Sequence, residues 1–302
     1  WNSWYHCMTA PEIQASYNAD GYRLKHYAAS DGLRLSWRDY GELLFDKVPI
    51  VCLAGLTRNS VDFHELAMHL NAAGHRVIAP DYRGRGRSSY DPDWRNYNPV
   101  THLGDVDALL TVLNLHKVVM IGTSFGGLLS MVLSVTRPTI LAGVILNDVG
   151  PEIDPNGLAR IAGYVGAKVE FSDWNEVARR MMHSYSAAYP DFTDEDWMRV
   201  ARTSYQINHD GMIVPDYDLA LGKALAEAGG SPDMWPYFAA LQSIPILGIR
   251  GALSDILSAE TFQRMQETNK AMIALVVPNR GHTPELTEPL CLEAIDEFIA
   301  KL

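Results

Sequence analysis

The stretch Lys117-Val118-Val119-Met120-Ile121-Gly122-Thr123-Ser124-Phe125-Gly126-Gly127 decides how this chain is read. A short continuous apolar run that ends in glycine fits a strand buried on both faces, as in a parallel sheet. The residues from Phe125 to Pro138 then follow a helical pattern. Between them, Gly-x-Ser-x-Gly marks a sharp strand-to-helix turn that raises the serine hydroxyl above the strand ends. Side chains two residues either side of Ser124 would meet neighbouring backbone, so glycine stands at 122 and 126. The helix start aims free N–H groups and the positive end of its dipole at charge developing near the serine. The competing reading is a phosphate-binding turn. That pattern, Gly-x-Gly-x-x-Gly, wants glycine where Ser124 stands.

Working outward, the same apolar texture recurs in VPIVCLAGL, HRVIAPD, AGVILND, PILGIRG and MIALVVPN. Helical patterns fall between these runs: SVDFHELAMHLNAAG, VTHLGDVDALLTVLN, SAETFQRMQETN and the closing ELTEPLCLEAIDEFIAKL. Alternation of this kind builds βαβ units and a parallel sheet flanked by helices. Residues 22–41 alternate around Asp31-Gly32 and read as a hairpin. One stretch breaks the rhythm. From Asp148 to about Ile244 the chain is rich in Trp, Met, Tyr and Asp and looks helical throughout. A structureless loop of that length is improbable, so it reads as a helical insertion over the sheet. The expected organisation is a core of residues 1–149 and 237–302 with a lid of residues 150–236.

A serine nucleophile at neutral pH needs a general base, and the base needs an orienting carboxylate. On a sheet of this kind the chain order is Ser, acid, His, with the partners in loops after late strands. His282 follows MIALVVP in Asn279-Arg280-Gly281-His282, directly before the last helix, and is the expected base. The other histidines have helix-face or loop settings. Asp255 follows PILGIRG and is the only acid in Gly251-Ala252-Leu253-Ser254-Asp255, so it is the expected third member. Asp148, after the preceding strand, is the rival. An oxyanion needs two N–H donors. Phe125 supplies one backbone N–H, and the loop Ala54-Gly55-Leu56-Thr57-Arg58-Asn59 supplies the other through Leu56. Arg58 is read as a solvated cation or as a bidentate grip on a substrate carboxylate, with Asn59 beside it.

Hydrophobic residues make up 47% of the chain and charged residues 20%, which is the balance of an ordinary globular protein with room for a large core. The formal net charge is -11, a poor basis for binding nucleic acid or an anionic membrane surface. Cys7, Cys52 and Cys291 are few, scattered and odd in number, which fits a reducing compartment. None has metal-ligand spacing, and no metal or organic cofactor is expected. No run of ~20 apolar residues is present, and WNSWYHCMTAPEIQ lacks the basic and apolar regions of a signal peptide. The expected compartment is the cytoplasm.

The serine corner, the two late partners and Pro80-Asp81-Tyr82-Arg83-Gly84-Arg85-Gly86-Arg87-Ser88 together resemble the α/β-hydrolase superfamily from about residue 22 to 302. Gly281-His282 and Asn147-Asp148-Val149-Gly150-Pro151 add to the likeness. The resemblance implies an eight-stranded, mostly parallel sheet with a helical lid inserted after the sixth strand. It also implies that some relatives take their carboxylate from the position of Asp148. The family's usual His-Gly in the oxyanion loop is Ala54-Gly55 here, which leaves the hydrogen bonds around that loop to be found. The resemblance implies hydrolysis of small carboxylic esters through an acyl-enzyme on Ser124, by a monomer or homodimer. Alternatives are an enol-lactonase or carbon–carbon bond hydrolase of aromatic degradation with the same triad, and an idle fold that binds a small molecule. Trp174, Met181, Met182, Tyr185, Tyr205, Trp235 and Phe238 are candidates for packing or for an apolar, aromatic pocket, with Tyr185 and Trp235 taken as pocket residues.

Overall fold

The computed structural model describes residues 20–42, 46–230 and 232–302, so Cys7 and the segment read for a signal peptide lie outside the described residues. The chain opens with β1 (Arg23–Ala28) and β2 (Arg34–Tyr40), then β3 (Ile50–Leu53), α1 (His64–Ala72), β4 (Val77–Asp81), α2 (Pro99–Val112), β5 (Val118–Thr123), α3 (Phe125–Thr136) and β6 (Leu141–Asn147). Next come α4 (Pro155–Tyr164), α5 (Trp174–Tyr185), α6 (Asp194–Ser204), β7 (Tyr205–Ile207), β8 (Ile213–Pro215), α7 (Leu221–Glu227) and α8 (Trp235–Ala239). The chain closes with β9 (Ile246–Gly251), α9 (Ala259–Thr268), β10 (Ile273–Val277) and α10 (Pro289–Ile299).

Eight strands form one sheet in the order β1-β2-β4-β3-β5-β6-β9-β10. It is parallel from β4 onward, with the β1–β2 hairpin antiparallel at one edge. The hairpin turns where the sequence says it should: Gly32 has φ +86°, and the Asp31 carboxylate accepts the Leu33 N–H at 3.0 Å. All four residues of β3 are fully buried, which is why that run carries no polar alternation. Burial also pushes the Cys52 thiol pKa up, so this cysteine is a packing residue. Among the described residues no helix is long and apolar enough to cross a membrane.

The β6–β9 segment has small apolar clusters of its own, one built on Val177, Met181, Trp197, Ala201 and Ile213. It is not helical throughout. The pattern DEDWMRVARTSYQI breaks after Ser204 into the β7–β8 hairpin. Turn chemistry decides this: Asn208 accepts the Asp210 and Met212 N–H groups, and Gly211 has φ +79°. At its end, α8 packs on α3, and Phe238 and Leu241 join the main core.

Candidate active site

Ser124 stands between β5 and α3 with φ +50° and ψ −115°, a conformation held only when its surroundings over-determine it. The glycines supply that constraint. A Cβ on Gly122 would lie 2.5 Å from the Gly127 nitrogen, and one on Gly126 would lie 2.1 Å from the Leu53 carbonyl oxygen. The Ser124 N–H donates to the Asn147 carbonyl at 3.0 Å, which ties the corner to the end of β6. His282, five residues past β10, brings Nε2 to 2.9 Å from Ser124 Oγ. Its side chain is 9% exposed.

The carboxylate against that imidazole belongs to Asp148, with Oδ2 2.7 Å from His282 Nδ1. Asp148 is the residue immediately after β6, fully buried, with φ +53°. Its Oδ1 accepts the Gly251 N–H at 2.8 Å and its Oδ2 accepts the Ser254 hydroxyl at 2.6 Å. The end of β9 and the loop after it therefore contribute donors to the carboxylate rather than the carboxylate itself. Asp255, expected in that role, is turned away into an ion pair with Arg160 of α4, at 2.9 Å for one arm. Burial opposes ionisation of Asp255, but the Arg160 guanidinium outweighs it and holds the carboxyl below its usual range. The physical reason is reach. β6 and β9 are neighbours in the sheet, and Asp148 sits at the strand end while Asp255 lies four residues beyond its own.

Beside Ser124 lies the β3 loop. A Cβ on Gly55 would project to 3.9 Å from the Ser124 Cβ, so this backbone passes close to the hydroxyl. Among the described residues no protein acceptor takes the N–H of Leu56 or of Phe125, which leaves both amides free for an incoming oxygen. With Ala54 in place of the usual histidine, the loop is braced from below. The Tyr82 hydroxyl donates to the Ala54 carbonyl at 3.2 Å, and Arg85 Nε donates to the Leu56 carbonyl at 2.9 Å. Arg85 is fully buried, and burial lowers its pKa to about 10, so it stays a cation at neutral pH. This brace has no local signal in the sequence. Arg85 appeared only as part of a turn motif, whose Asp81 secures the Ser60 and Arg87 N–H groups at 2.7 and 2.9 Å.

A cavity of about 500 Å³ opens above Ser124 and His282, between the sheet ends and the β6–β9 segment. Leu56 and Tyr185 line it, Tyr185 with its phenol pKa pushed up to about 12 by burial. Trp235, expected in the pocket, does not: it stacks under Arg264 on α9 and donates its indole N–H to Glu152. Asn59 is buried below the wall, where it caps the turn at Ser60 and donates to Asp216 at 2.7 Å. Arg58 does reach the cavity wall, but its donors are already taken. It is gripped by Asp62 and donates to Thr203 at 2.9 Å and to Ser204. Three further arginines line the wall: Arg160, Arg180 and Arg199. Among the described residues no group of three or more His, Cys, Asp or Glu is arranged to hold a metal ion.

This geometry has a family. The model described as alpha/beta hydrolase fold matches residues 48–272. A 3-hydroxybutyrate-oligomer hydrolase of Cupriavidus necator is 30% identical over 276 residues, covering 88% of this chain and 92% of the relative. A 2-(acetamidomethylene)succinate hydrolase of Mesorhizobium japonicum is 26% identical over 249 residues, 81% of this chain and 85% of that one. Among solved structures, an alpha/beta hydrolase from Novosphingobium aromaticivorans superposes with a TM-score of 0.88 at 40% identity, over 93% of this chain and 99% of the other. The chain belongs to the α/β-hydrolase family and is a hydrolase.

Proposed function

We propose that the chain is a serine esterase that cleaves short oxyesters through an acyl-enzyme on Ser124, with Asp148 as the acid of the triad. The observation that carries this reading is the continuous chain of contacts at the cavity floor. Ser124 Oγ meets His282 Nε2 at 2.9 Å, and His282 Nδ1 meets Asp148 Oδ2 at 2.7 Å. As the Ser124 oxygen attacks the ester carbonyl, its proton passes to His282 Nε2. Asp148 holds the ring and stabilises the imidazolium. The Leu56 and Phe125 amides receive the oxyanion. Collapse of the tetrahedral species expels the alcohol, which takes the proton from His282. Water then enters, gives its proton to the same nitrogen and releases the acid and free Ser124.

The β6–β9 segment acts as the cap that selects the substrate, since it supplies the wall of the cavity. The relative that hydrolyses 3-hydroxybutyrate oligomers supports an aliphatic oxyester of a hydroxyacid as the substrate class. Replacing Ser124 by Ala is expected to lower kcat/KM on p-nitrophenyl butyrate and on a 3-hydroxybutyrate dimer by ~10⁴ or more. A fluorophosphonate probe should label the parent chain and not the variant. Full activity in Ser124→Ala would remove the acyl-enzyme. Turnover of a ring-cleavage dienoate with no turnover of any ester would replace the esterase reading with carbon–carbon bond hydrolysis.

A further inference from the structure

The cavity wall carries four guanidinium groups, and three are already spent. Arg58 is held by Asp62, Thr203 and Ser204. Arg160 is held by Asp255. Arg199 is held by both oxygens of Glu285, at 2.6 and 3.0 Å, and by Asp196 at 3.0 Å. Arg180, on α5, has no hydrogen-bond or ion-pair partner among the described residues. It is exposed yet lines the cavity, so it stands at the rim, where solvent and cavity meet. One helical turn on, Ser184 lines the same wall, and the i, i+4 spacing puts it on the same helix face as Arg180. The Arg180 charge is also felt at the phenol of Tyr205 on the same wall.

The anionic side of the wall has a matching imbalance. Asp62 and Glu285 are used by Arg58 and Arg199, and Glu65 on α1 is left without an ion-pair partner among the described residues. Glu65 and Arg180 do not pair with each other. The unbalanced charges are thus an anion on the sheet side and a cation on the segment side. A substrate with one carboxylate is drawn toward α5 and repelled from α1.

We infer that Arg180, with the Ser184 hydroxyl, forms a carboxylate subsite at the rim, and that the preferred substrates are anionic esters that carry a free carboxylate besides the scissile ester. This rests on the esterase reading above. Two sources present that carboxylate: the hydroxyacid leaving group of an oligoester, and the far end of a dicarboxylic half-ester. Arginine suits either, because its planar fork binds a carboxylate through two N–H groups.

The test compares matched esters in the parent chain, Arg180→Gln and Arg180→Lys. One pair is the 3-hydroxybutyrate dimer and its methyl ester, which places the charge on the leaving group. The other is p-nitrophenyl hemiglutarate and p-nitrophenyl butyrate, which places it on the acyl side. Arg180→Gln is expected to cost about tenfold in kcat/KM on the anionic member of at least one pair, mostly through KM. Activity on the neutral member should stay within about twofold, and Arg180→Lys should recover part of the loss. The pair that moves identifies which end carries the carboxylate. If Arg180→Gln leaves both anionic-to-neutral ratios unchanged while the esters are still turned over, the subsite is wrong and the esterase reading stands. If the parent chain turns over no ester and takes no fluorophosphonate, both fall.

Discussion

The floor and the wall of the cavity are built on opposite principles. At the floor, Asp148 is fully buried, His282 nearly so, and each contact is set by backbone that has no alternative place to go. The Asp148 carboxylate takes three donors, from Gly251, Ser254 and His282. At the wall, the charges sit on long side chains about a quarter to a third exposed, 26% for Arg58, 35% for Arg160 and 37% for Arg199. Carboxylates neutralise these three arginines, and two of those carboxylates, Asp255 and Glu285, come from other parts of the chain. Geometry at the floor is therefore fixed, while charge at the wall can be re-dealt by single substitutions. That division suits an enzyme whose chemistry stays constant while its substrate is chosen elsewhere.

The two aspartates give the strongest way to break this comparison. Asp148→Asn keeps the shape but removes the carboxylate that fixes the imidazole tautomer, and is expected to lower kcat/KM by ~10⁴. Asp255→Asn loses only a half-exposed ion pair with Arg160. It is expected to stay within about fivefold, because such pairs contribute ~0.2–1 kcal/mol. Steady-state kinetics on p-nitrophenyl butyrate decides it. A collapse of Asp255→Asn beside an active Asp148→Asn would return the acid to the loop after β9.

This pair also marks how far the sequence could be read. The apolar runs, the glycines around Ser124 and the late His282 were legible because each is a local pattern with a local cause. The carboxylate that meets His282 was not, since two aspartates follow adjacent strands and either suits the chain order. What separates them is a distance along the loop: Asp148 ends its strand, while Asp255 is four residues out and within reach of Arg160. Arg58 shows the same limit. Its i, i+4 partner Asp62 could have been found from spacing. Thr203 and Ser204, some 145 residues away, could not. Pairings between the wall's elements depend on how the β6–β9 segment folds back, and no local pattern encodes that.

Glycines sharpen the contrast at the level of stability. Gly126→Ala would drive a methyl into the Leu53 carbonyl, which sits in a fully buried strand and cannot yield. A cost of about 2 kcal/mol or more is expected, read as a lower urea midpoint, along with loss of activity. Gly163 on α4 also borders the cavity, but nothing lies within 4 Å of its added Cβ. Gly163→Ala is expected to stabilise by ~0.5–1 kcal/mol through helix propensity and a less flexible unfolded chain. Two variants destabilised to a similar extent would show that the wall is as tightly packed as the floor.

The smallest expected effect concerns Asp216, where the β6–β9 segment clasps the loops after β3 and β4. Its N–H donates to the Ser204 carbonyl at 3.0 Å, its carbonyl accepts from Gly86, and its carboxylate accepts the Asn59 amide at 2.7 Å. Burial, reinforced by the nearby Asp81 carboxylate, raises its pKa to about 7, with Arg87, Arg58 and Asn59 offsetting only part of this. Because the folded value lies above the unfolded one, the contribution to stability is fully present below about pH 4 and is lost as pH rises through about 7. Asp216→Asn can still accept the Asn59 N–H through its own amide oxygen and carries no charge. It is therefore expected to match the parent chain near pH 4 and to exceed it by about 1 kcal/mol at pH 8, after allowance for solvent screening. Urea unfolding at the two pH values measures the gap, and a gap that does not change with pH would uncouple Asp216 from folding. Asp148 and Asp216 are the same residue type in two polar settings. Three donors meet the first and a single amide meets the second, so charge should be tolerated at the floor and should strain the clasp.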